Sequence, residues 1–549
     1  MEVFDVVVLG TGAAGLTAAL AAHDGGASVG LFEKASQVGG TSAWSGGMVW
    51  IPGNPHLGAL GLTDSRQEAL TYLESLSHGL VDPALAAAYV DTGPKVISWL
   101  EERTPASFTI IKDFPDYHPQ HPGAKPGGGR SMECPLFPFD QLGPWADRVS
   151  VGYQLSGNIM MSETSLGRGA PGGVATQEMA RRRVHDERGA GQGLVGALLR
   201  GCLDRGIEPR TESRAQALVV EAGRVVGARF EAATGPFEVG ARGGVVLATG
   251  GFEHDPKLVR AFVRGPLDRA VSVPTNTGDG LRMAMRIGAD LNNMREAWWV
   301  PTIDVVHPVA GVVPWQVNGE RSRPHCIMVN RAGRRFTNEA ANYNAFGAAF
   351  HVLDVSTFEY VNHPAWMVFD HHYLTRYGLA GHRPPASTPA WIIQASTVTG
   401  LADAIGVPTE TLAATVSRWN EHAGHSADPD FGRGDSVFDR WWGDPAFGDS
   451  AAATIGPLDT APFYAVQVHS GTLGTKGGPR TDPDARVLDV DGRIIPGLYA
   501  AGNAMASAMG MTYGGAGGTL GPAIVFGYLA GRDAAARVHP HAVGGDLAG

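Results

Sequence analysis

Cysteine is nearly missing from this chain of 549 residues: Cys134, Cys202 and Cys326 are the only three, far apart and in no metal-ligand spacing. Three cannot make a disulfide framework, so a reducing, cytoplasmic compartment and no metal centre are expected. Positive charge is also scarce, with 43 Lys and Arg against 54 Asp and Glu. The formal charge of -11 gives no electrostatic footprint for nucleic acid or an anionic membrane surface. No long apolar run passes without a charge, a polar break or a glycine cluster, which argues against a spanning helix. Met1 to Leu9 has neither a basic leader nor a small-residue cleavage site, so no signal peptide is expected. Peripheral contact with a membrane is compatible with all of this.

Glycine, by contrast, is plentiful at 76 residues, in a chain that is 44% hydrophobic and 18% charged. That balance is globular, and the length asks for two domains or one large domain with an insertion. The glycines cluster. Asp5 to Leu9 is a continuous apolar run; Gly10-Thr11-Gly12-Ala13-Ala14-Gly15, an Ala/Leu-rich stretch to about His23, and Ala27 to Phe32 follow, ending at Glu33. Continuous apolar runs on either side of a helix are the mark of a buried parallel βαβ unit. Gly10 permits the tight turn, Gly12 lets the backbone reach a pyrophosphate at the helix N-terminus, and Gly15 lets helix and strand pack closely. Glu33 stands where a carboxylate takes the ribose hydroxyls of an adenosine, with Lys34 beside it.

Three more clusters decide which dinucleotide. Gly39-Gly40-Thr41-Ser42 with Ser45-Gly46-Gly47 is one, Val245 to Gly251 a second, and Gly497 to Asn503 with the glycine-rich Tyr513 to Gly521 a third. An apolar helix is predicted after them, from about Pro522 to Ala535. Any one cluster reads as an ordinary strand end; together they resemble the FAD-binding half of the glutathione-reductase-like flavoproteins, whose cofactor domain is assembled from both ends of the chain. The resemblance implies an α/β, Rossmann-like FAD domain of residues 1–280 plus 456–549, with an inserted α+β capping and catalytic domain at 281–455. It implies cofactor contacts from Gly10, Gly12, Ala13, Ala14, Gly15, Glu33, Lys34, Gly40, Thr41, Ser42, Gly46 and Gly47. Ala217, Ala248, Thr249, Gly250, Asp279, Gly502, Asn503, Gly518 and Leu520 complete that set. The Pro- and Gly-rich stretch from Tyr117 to about Gly173 is expected to form long loops that shield a pocket.

The opening stretch and Val329-Asn330-Arg331-Ala332-Gly333-Arg334-Arg335-Phe336-Thr337-Asn338-Glu339 resemble the fumarate reductase and succinate dehydrogenase flavoprotein superfamily. Within it, Leu473-Gly474-Thr475-Lys476-Gly477-Gly478 and Met511 to Ala523 resemble the 3-ketosteroid dehydrogenases, in particular the Δ1 group. The branches demand opposite chemistry. Dicarboxylate reduction needs arginines, yet the position four residues after the Asn-Glu pair is Tyr343, and the C-terminal glycine run offers only Gly517 and Gly518. His469 alone is retained, and reads as structural. The stretch Gly39 to Gly47 holds no histidine where the succinate dehydrogenase branch attaches its flavin, so noncovalent FAD is expected.

Introducing a double bond beside a carbonyl requires a base for the α proton, an acceptor for the β hydride, and donors for the oxygen on which charge grows. The resemblance implies that Tyr513 and the Gly517 amide hold the carbonyl oxygen, that Tyr343 is the base, and that Tyr117 supports it by donating a hydrogen bond that favours the phenolate. Most of the Δ1 group has proline after the donor tyrosine, whereas Gly514 follows Tyr513 here and loosens that loop. Arg321, Arg323 and His325 read as structural, Arg334-Arg335 as a solvated or ion-paired turn, and Trp298, Trp299, Trp315 and Trp366 as core with rings available to a steroid slot. The expected function is 1,2-desaturation of a 3-oxosteroid, with a quinone or other acceptor downstream. The rivals are a Δ4-(5α)-ketosteroid dehydrogenase, an enone-forming enzyme on a smaller cyclic ketone, a fumarate reductase-like enzyme, and a flavin-bound protein without turnover.

Overall fold

Three valines fix the centre of the first layer. Val6, Val7 and Val8 are wholly buried, as a parallel strand covered on both faces must be. They lie in β1 (Glu2–Leu9), which is followed by helix α1 (Ala13–Asp24) and β2 (Val29–Phe32). The computed structural model describes residues 1–155, 157–169 and 173–539. Further along come the short helix α2 (Gly40–Trp44) and strands β3 (Arg214–Glu221), β4 (Arg224–Ala232) and β5 (Gly235–Leu247). The middle supplies β6 (Ala297–His307), β7 (Gly311–Gln316), β8 (Cys326–Asn330), helix α3 (Tyr343–Gly347), β9 (Ala365–Asp370) and β10 (Ile393–Ala395). The chain closes with β11 (Phe463–Thr475), β12 (Arg486–Leu488), β13 (Ile494–Ala500) and helix α4 (Leu520–Ala536).

The first sheet runs β2-β1-β5-β13-β12, with the β3–β4 hairpin joined to β5. β1 pairs in parallel with β2 and β5, and β5 with β13, so both ends of the chain share one sheet. The helices repeat this union. Ala13 to Ala22 of α1 are all buried, because α4 covers the face that the sheet leaves free. Gly527 and Gly531 allow the contact: a Cβ on either would fall 2.4 Å from the Ala14 oxygen or 2.2 Å from the Ala18 oxygen. This is the Rossmann-like arrangement that the glycine clusters imply.

The second sheet runs β7-β6-β11-β9-β8, with β10 and Arg269–Ala270 also paired to β11. It takes its central strand, β11, from beyond residue 455 and Arg269–Ala270 from before 281. The stretch after Tyr117 is more ordered than its composition suggests, with a six-residue strand, Gly128–Glu133, whose residues are all buried. Ser156 and residues 170–172 of that stretch lie outside the described residues. Cys134, Cys202 and Cys326 are free and buried. Among the described residues no helix is long and apolar enough to cross a membrane.

Candidate active site

The glycine turn after β1 is forced. Gly10 has φ +112°, and a Cβ there would stand 2.2 Å from the Ala248 oxygen; a Cβ on Gly15 would stand 1.9 Å from the Gly10 oxygen. The turn ends at Gly12, the N-cap of α1, which brings no side-chain cap and no acidic residue in the first turn. Ala13 N donates to Ser42 Oγ at 3.0 Å, and the next N–H groups with the positive end of the helix dipole suit an anion. Glu33 is fixed beside it, its Oε2 accepting from Thr11 N at 3.1 Å and Thr11 Oγ1 at 2.7 Å, and its Oε1 from Ala35 N at 2.9 Å. Lys34 Nζ lies 2.8 Å from Asp279 Oδ2, and Arg214 closes on the same carboxylate at 2.8 Å. Burial alone would raise the Asp279 carboxyl, but Arg214 and Lys34 hold it below its ordinary value.

From this end an elongated groove runs between the two sheets. Its wall carries the expected Gly10, Gly12, Ala13, Ala14, Glu33, Lys34, Gly40, Thr41, Ser42, Gly46, Gly47, Ala248, Thr249, Gly250, Asp279, Gly502, Asn503 and Leu520. It also carries Tyr117, Tyr343, Tyr513 and Gly517. Gly15 and Gly518 are not on the wall. Gly15 serves helix packing, and Gly518 leaves room for the Tyr513 ring, which a Cβ would meet at 2.9 Å. Of β3, Ala215 is on the wall and Ala217 is not; a register shift lies between the two. A dinucleotide fits what is present: a helix N-terminus whose cap is a glycine, a fixed carboxylate 22 residues after the turn's second position, and glycines whose Cβ atoms would collide with backbone.

The far end of the groove is aromatic. Tyr343 opens α3, capped by Asn342, whose side chain accepts from Ala345 N at 2.9 Å. The segment leading to it is fastened by buried charge: Glu339 pairs with Arg335 at 2.7 Å and Arg433 at 3.2 Å, and Arg335 reaches Asp428 at 2.8 Å. The arginine turn is thus an ion-paired support for Tyr343. The Tyr117 hydroxyl donates to the Tyr343 hydroxyl at 2.8 Å. The three tyrosine rings meet edge to face, with centroids 5.3 Å (117–343), 5.5 Å (343–513) and 5.1 Å (117–513) apart. Thr519 Oγ1 donates to the Tyr513 oxygen at 3.1 Å, and the Gly517 amide approaches the same oxygen.

Tyr117 does not ease the ionisation of Tyr343 as expected. Burial, then the neighbouring phenols Tyr117 and Tyr513, push Tyr343 well above the ordinary tyrosine value. Burial raises Tyr117 and Tyr513 as well. In this pocket the cluster is neutral at pH 7.

The tryptophan reading also shifts. Trp298, Trp299, Trp315 and Trp366 are off the groove wall, and Trp44 and Trp442 are on it. Trp298 instead backs Tyr513 at 4.8 Å. The loops after Tyr117 contribute Leu155, Met161 and Leu166 to the wall, and Gln316 and Asn318 join them from the end of β7. Nothing local in the sequence marks these five, because only tertiary folding brings them to the groove. Arg321, wholly buried, donates to the Val317 and Glu339 carbonyls and does not touch the groove. His469 lies 3.5 Å from Asp304, away from the wall. Among the described residues the charged side chains on the wall are Glu33, Lys34 and Asp279, all at the α1 end.

Residues 5–520 match the FAD binding domain family. A 4-oxocyclohexanecarboxylate 2-dehydrogenase of Sinomonas cyclohexanicum is 42% identical over 541 residues, 96% of this chain and 92% of that one. A 3-oxosteroid 1-dehydrogenase of Mycobacterium tuberculosis is 38% identical over 561 residues, 96% of this chain and 98% of that one. In three dimensions the chain is similar to a 3-ketosteroid Δ1-dehydrogenase of Sterolibacterium denitrificans in complex with 1,4-androstadiene-3,17-dione, with TM-score 0.90 and 35% identity. That likeness covers 98% of this chain and all of the other.

Proposed function

Since the chain belongs to the FAD binding domain family, alongside the 3-oxosteroid 1-dehydrogenases, we propose that it is an FAD-dependent 3-ketosteroid Δ1-dehydrogenase. The observation that carries the reading is the wall itself: three buried tyrosines and Gly517 come together at the end of the groove where, among the described residues, no charged side chain lines it. Phenols suit an uncharged ketone; a dicarboxylate would need cations there. The N-terminus of α1 would hold the pyrophosphate noncovalently, Glu33 the adenosine ribose, and the glycines after β2, β5 and β13 the rest of the cofactor. Bound there, FAD supplies the acceptor for the hydride that leaves C1. Tyr513 and the Gly517 N–H donate to the C3 oxygen, and Tyr343 takes the C2 proton, with its hydroxyl held in place by Tyr117. The aromatic and aliphatic wall excludes water and keeps the ring system flat.

We assign residues 1–280 and 456–549 to the cofactor domain and 281–455 to the cap, with β11 lending the cap its central strand. The electrons pass to a quinone or another small acceptor. The protein works in the cytoplasm. Peripheral contact with a membrane is supported by exposed apolar residues at loop tips, Val309 at 90%, Val355 at 88% and Phe358 at 79%.

The 42% relative favours a second reading, a small cyclic oxo acid as substrate. The test is turnover of 4-androstene-3,17-dione, a 5α-3-oxosteroid and 4-oxocyclohexanecarboxylate with an artificial acceptor, with products identified by mass and ultraviolet absorption. A 1,4-diene from the first supports the proposal. Turnover of the 5α-steroid alone would make this a Δ4-(5α) enzyme, and turnover of the oxo acid alone would install the second reading.

The raised pKa of Tyr343 sets the sign of the pH dependence. Below that pKa the fraction of phenolate grows about tenfold per pH unit, so kcat limited by proton abstraction should climb from neutrality into the alkaline range. A kcat profile that is flat or falling above neutrality, under conditions where the chemical step is rate-limiting, would contradict the assignment.

A further inference from the structure

Lys476 is wholly buried and, among the described residues, no carboxylate pairs with it directly. It follows β11 in the run Thr475-Lys476-Gly477-Gly478, where its backbone is fixed by Lys476 N to the Glu296 oxygen and Ser507 N to the Lys476 oxygen, both 2.9 Å. Glu296, the acid whose charge acts on it, is taken by Arg264 at 3.0 Å. The ammonium instead donates to two successive carbonyls, Met511 O at 2.9 Å and Thr512 O at 2.7 Å, immediately before Tyr513. It also sits 4.2 Å over the ring of Trp298, the ring that backs Tyr513. The Met511 carbonyl is shared: Asn344, the residue after Tyr343, donates to it at 3.3 Å.

We propose, building on the assignment of Tyr513 as carbonyl donor and Tyr343 as base, that Lys476 is a positioning residue which holds the donor loop in register with the base helix. A buried cation costs several kcal/mol unless hydrogen bonds and ring faces replace its water. Here that compensation comes wholly from the loop that carries Tyr513 and the tryptophan behind it. The link matters because Gly514 leaves the loop without the stiffness of a proline; its own carbonyl is held by Tyr72 Oη at 2.7 Å and Tyr117 N at 3.0 Å. Lys476 supplies the restraint on the other side of Tyr513. Burial brings its pKa down to about 7, and the two hydrogen bonds survive the loss of a proton because a neutral amine still carries two N–H groups.

A double-mutant cycle on the FAD-loaded protein tests this, with kcat for 4-androstene-3,17-dione as the readout. Lys476→Met should lower kcat on the order of 10-fold or more with little change in KM, because a displacement of about an ångström misplaces the donor only where charge develops. In a Tyr513→Phe background the same change should cost less than about twofold, since a residue that acts through Tyr513 has nothing left to position. Lys476→Gln, which keeps an amide donor, should recover part of the loss and carries the cycle in place of the methionine variant if that one does not fold. Losses that multiply across the two positions, or an unaltered kcat in Lys476→Met, would overturn the role of Lys476 while leaving the clamp intact. Full activity in Tyr513→Phe alone would instead strike down the clamp itself, and with it anything said to act through it.

Discussion

Tyr343→Phe is expected to give a folded, yellow protein that no longer desaturates a 3-oxosteroid. The ring stays where it packs, edge to face against Tyr117 and Tyr513, so only the oxygen is removed. Its structural cost is one hydrogen bond to Tyr117, of the order of 1 kcal/mol. The catalytic cost is larger because the carboxylates on the described wall, Glu33 and Asp279, lie at the α1 end, and burial raises the two remaining phenols, Tyr117 and Tyr513. A positioned base is worth about 10²- to 10⁴-fold, and the loss should appear in single-turnover reduction of the flavin as well as in kcat. The bound-flavin spectrum and the melting temperature serve as controls. Activity within a few-fold of the parent would remove Tyr343 as the base.

Tyr513→Phe should cost on the order of 100-fold or more in kcat, with KM changed far less. In the proposed mechanism the Tyr513 hydroxyl is one of two donors aimed at the spot where enolate charge grows, and removing one such donor from a buried site forfeits its full electrostatic worth. The Gly517 amide remains and keeps some activity. Thr519, which donates to the Tyr513 oxygen at 3.1 Å, loses that partner in the variant. The two variants should differ in kind. Tyr343→Phe fails to remove the proton, whereas Tyr513→Phe removes it slowly from a substrate that still binds. A Tyr513→Phe enzyme with a raised KM and an unchanged kcat would mean that the hydroxyl binds substrate without stabilising the transition state.

Much of the cofactor groove was legible in the sequence because glycine is chosen there by hard sterics. At Gly10, Gly15 and Gly517 a Cβ would sit within 2.5 Å of backbone, so the residue type itself reports a close approach. The union of the two chain ends came from the resemblance that the glycine clusters carry; Gly527 and Gly531, where α4 meets α1, are seen only in the structure. The tyrosines were found through motif likeness, and the structure brings all three together. What escaped were side chains whose role depends on tertiary placement. On β3 the wall carries Ala215 and not Ala217, and the register shift between them leaves no trace in composition. Of the tryptophans, Trp442 and Trp44 are on the wall and the four in the middle are not, while Trp298 packs one layer back against Tyr513. The electrostatics of Tyr343 were also misjudged. A hydrogen bond from Tyr117 was expected to favour the phenolate, yet burial first and then the two neighbouring phenols, their hydrogen bonds included, all push Tyr343 upward.

The central claim is that an uncharged cyclic ketone loses two hydrogens at the tyrosine end of the groove. Anaerobic mixing of the FAD-loaded protein with 4-androstene-3,17-dione tests it in one step. The account predicts bleaching of the flavin with one equivalent of 1,4-androstadiene-3,17-dione formed per flavin. A flavin that stays yellow with the steroid but is bleached by 4-oxocyclohexanecarboxylate would contradict it.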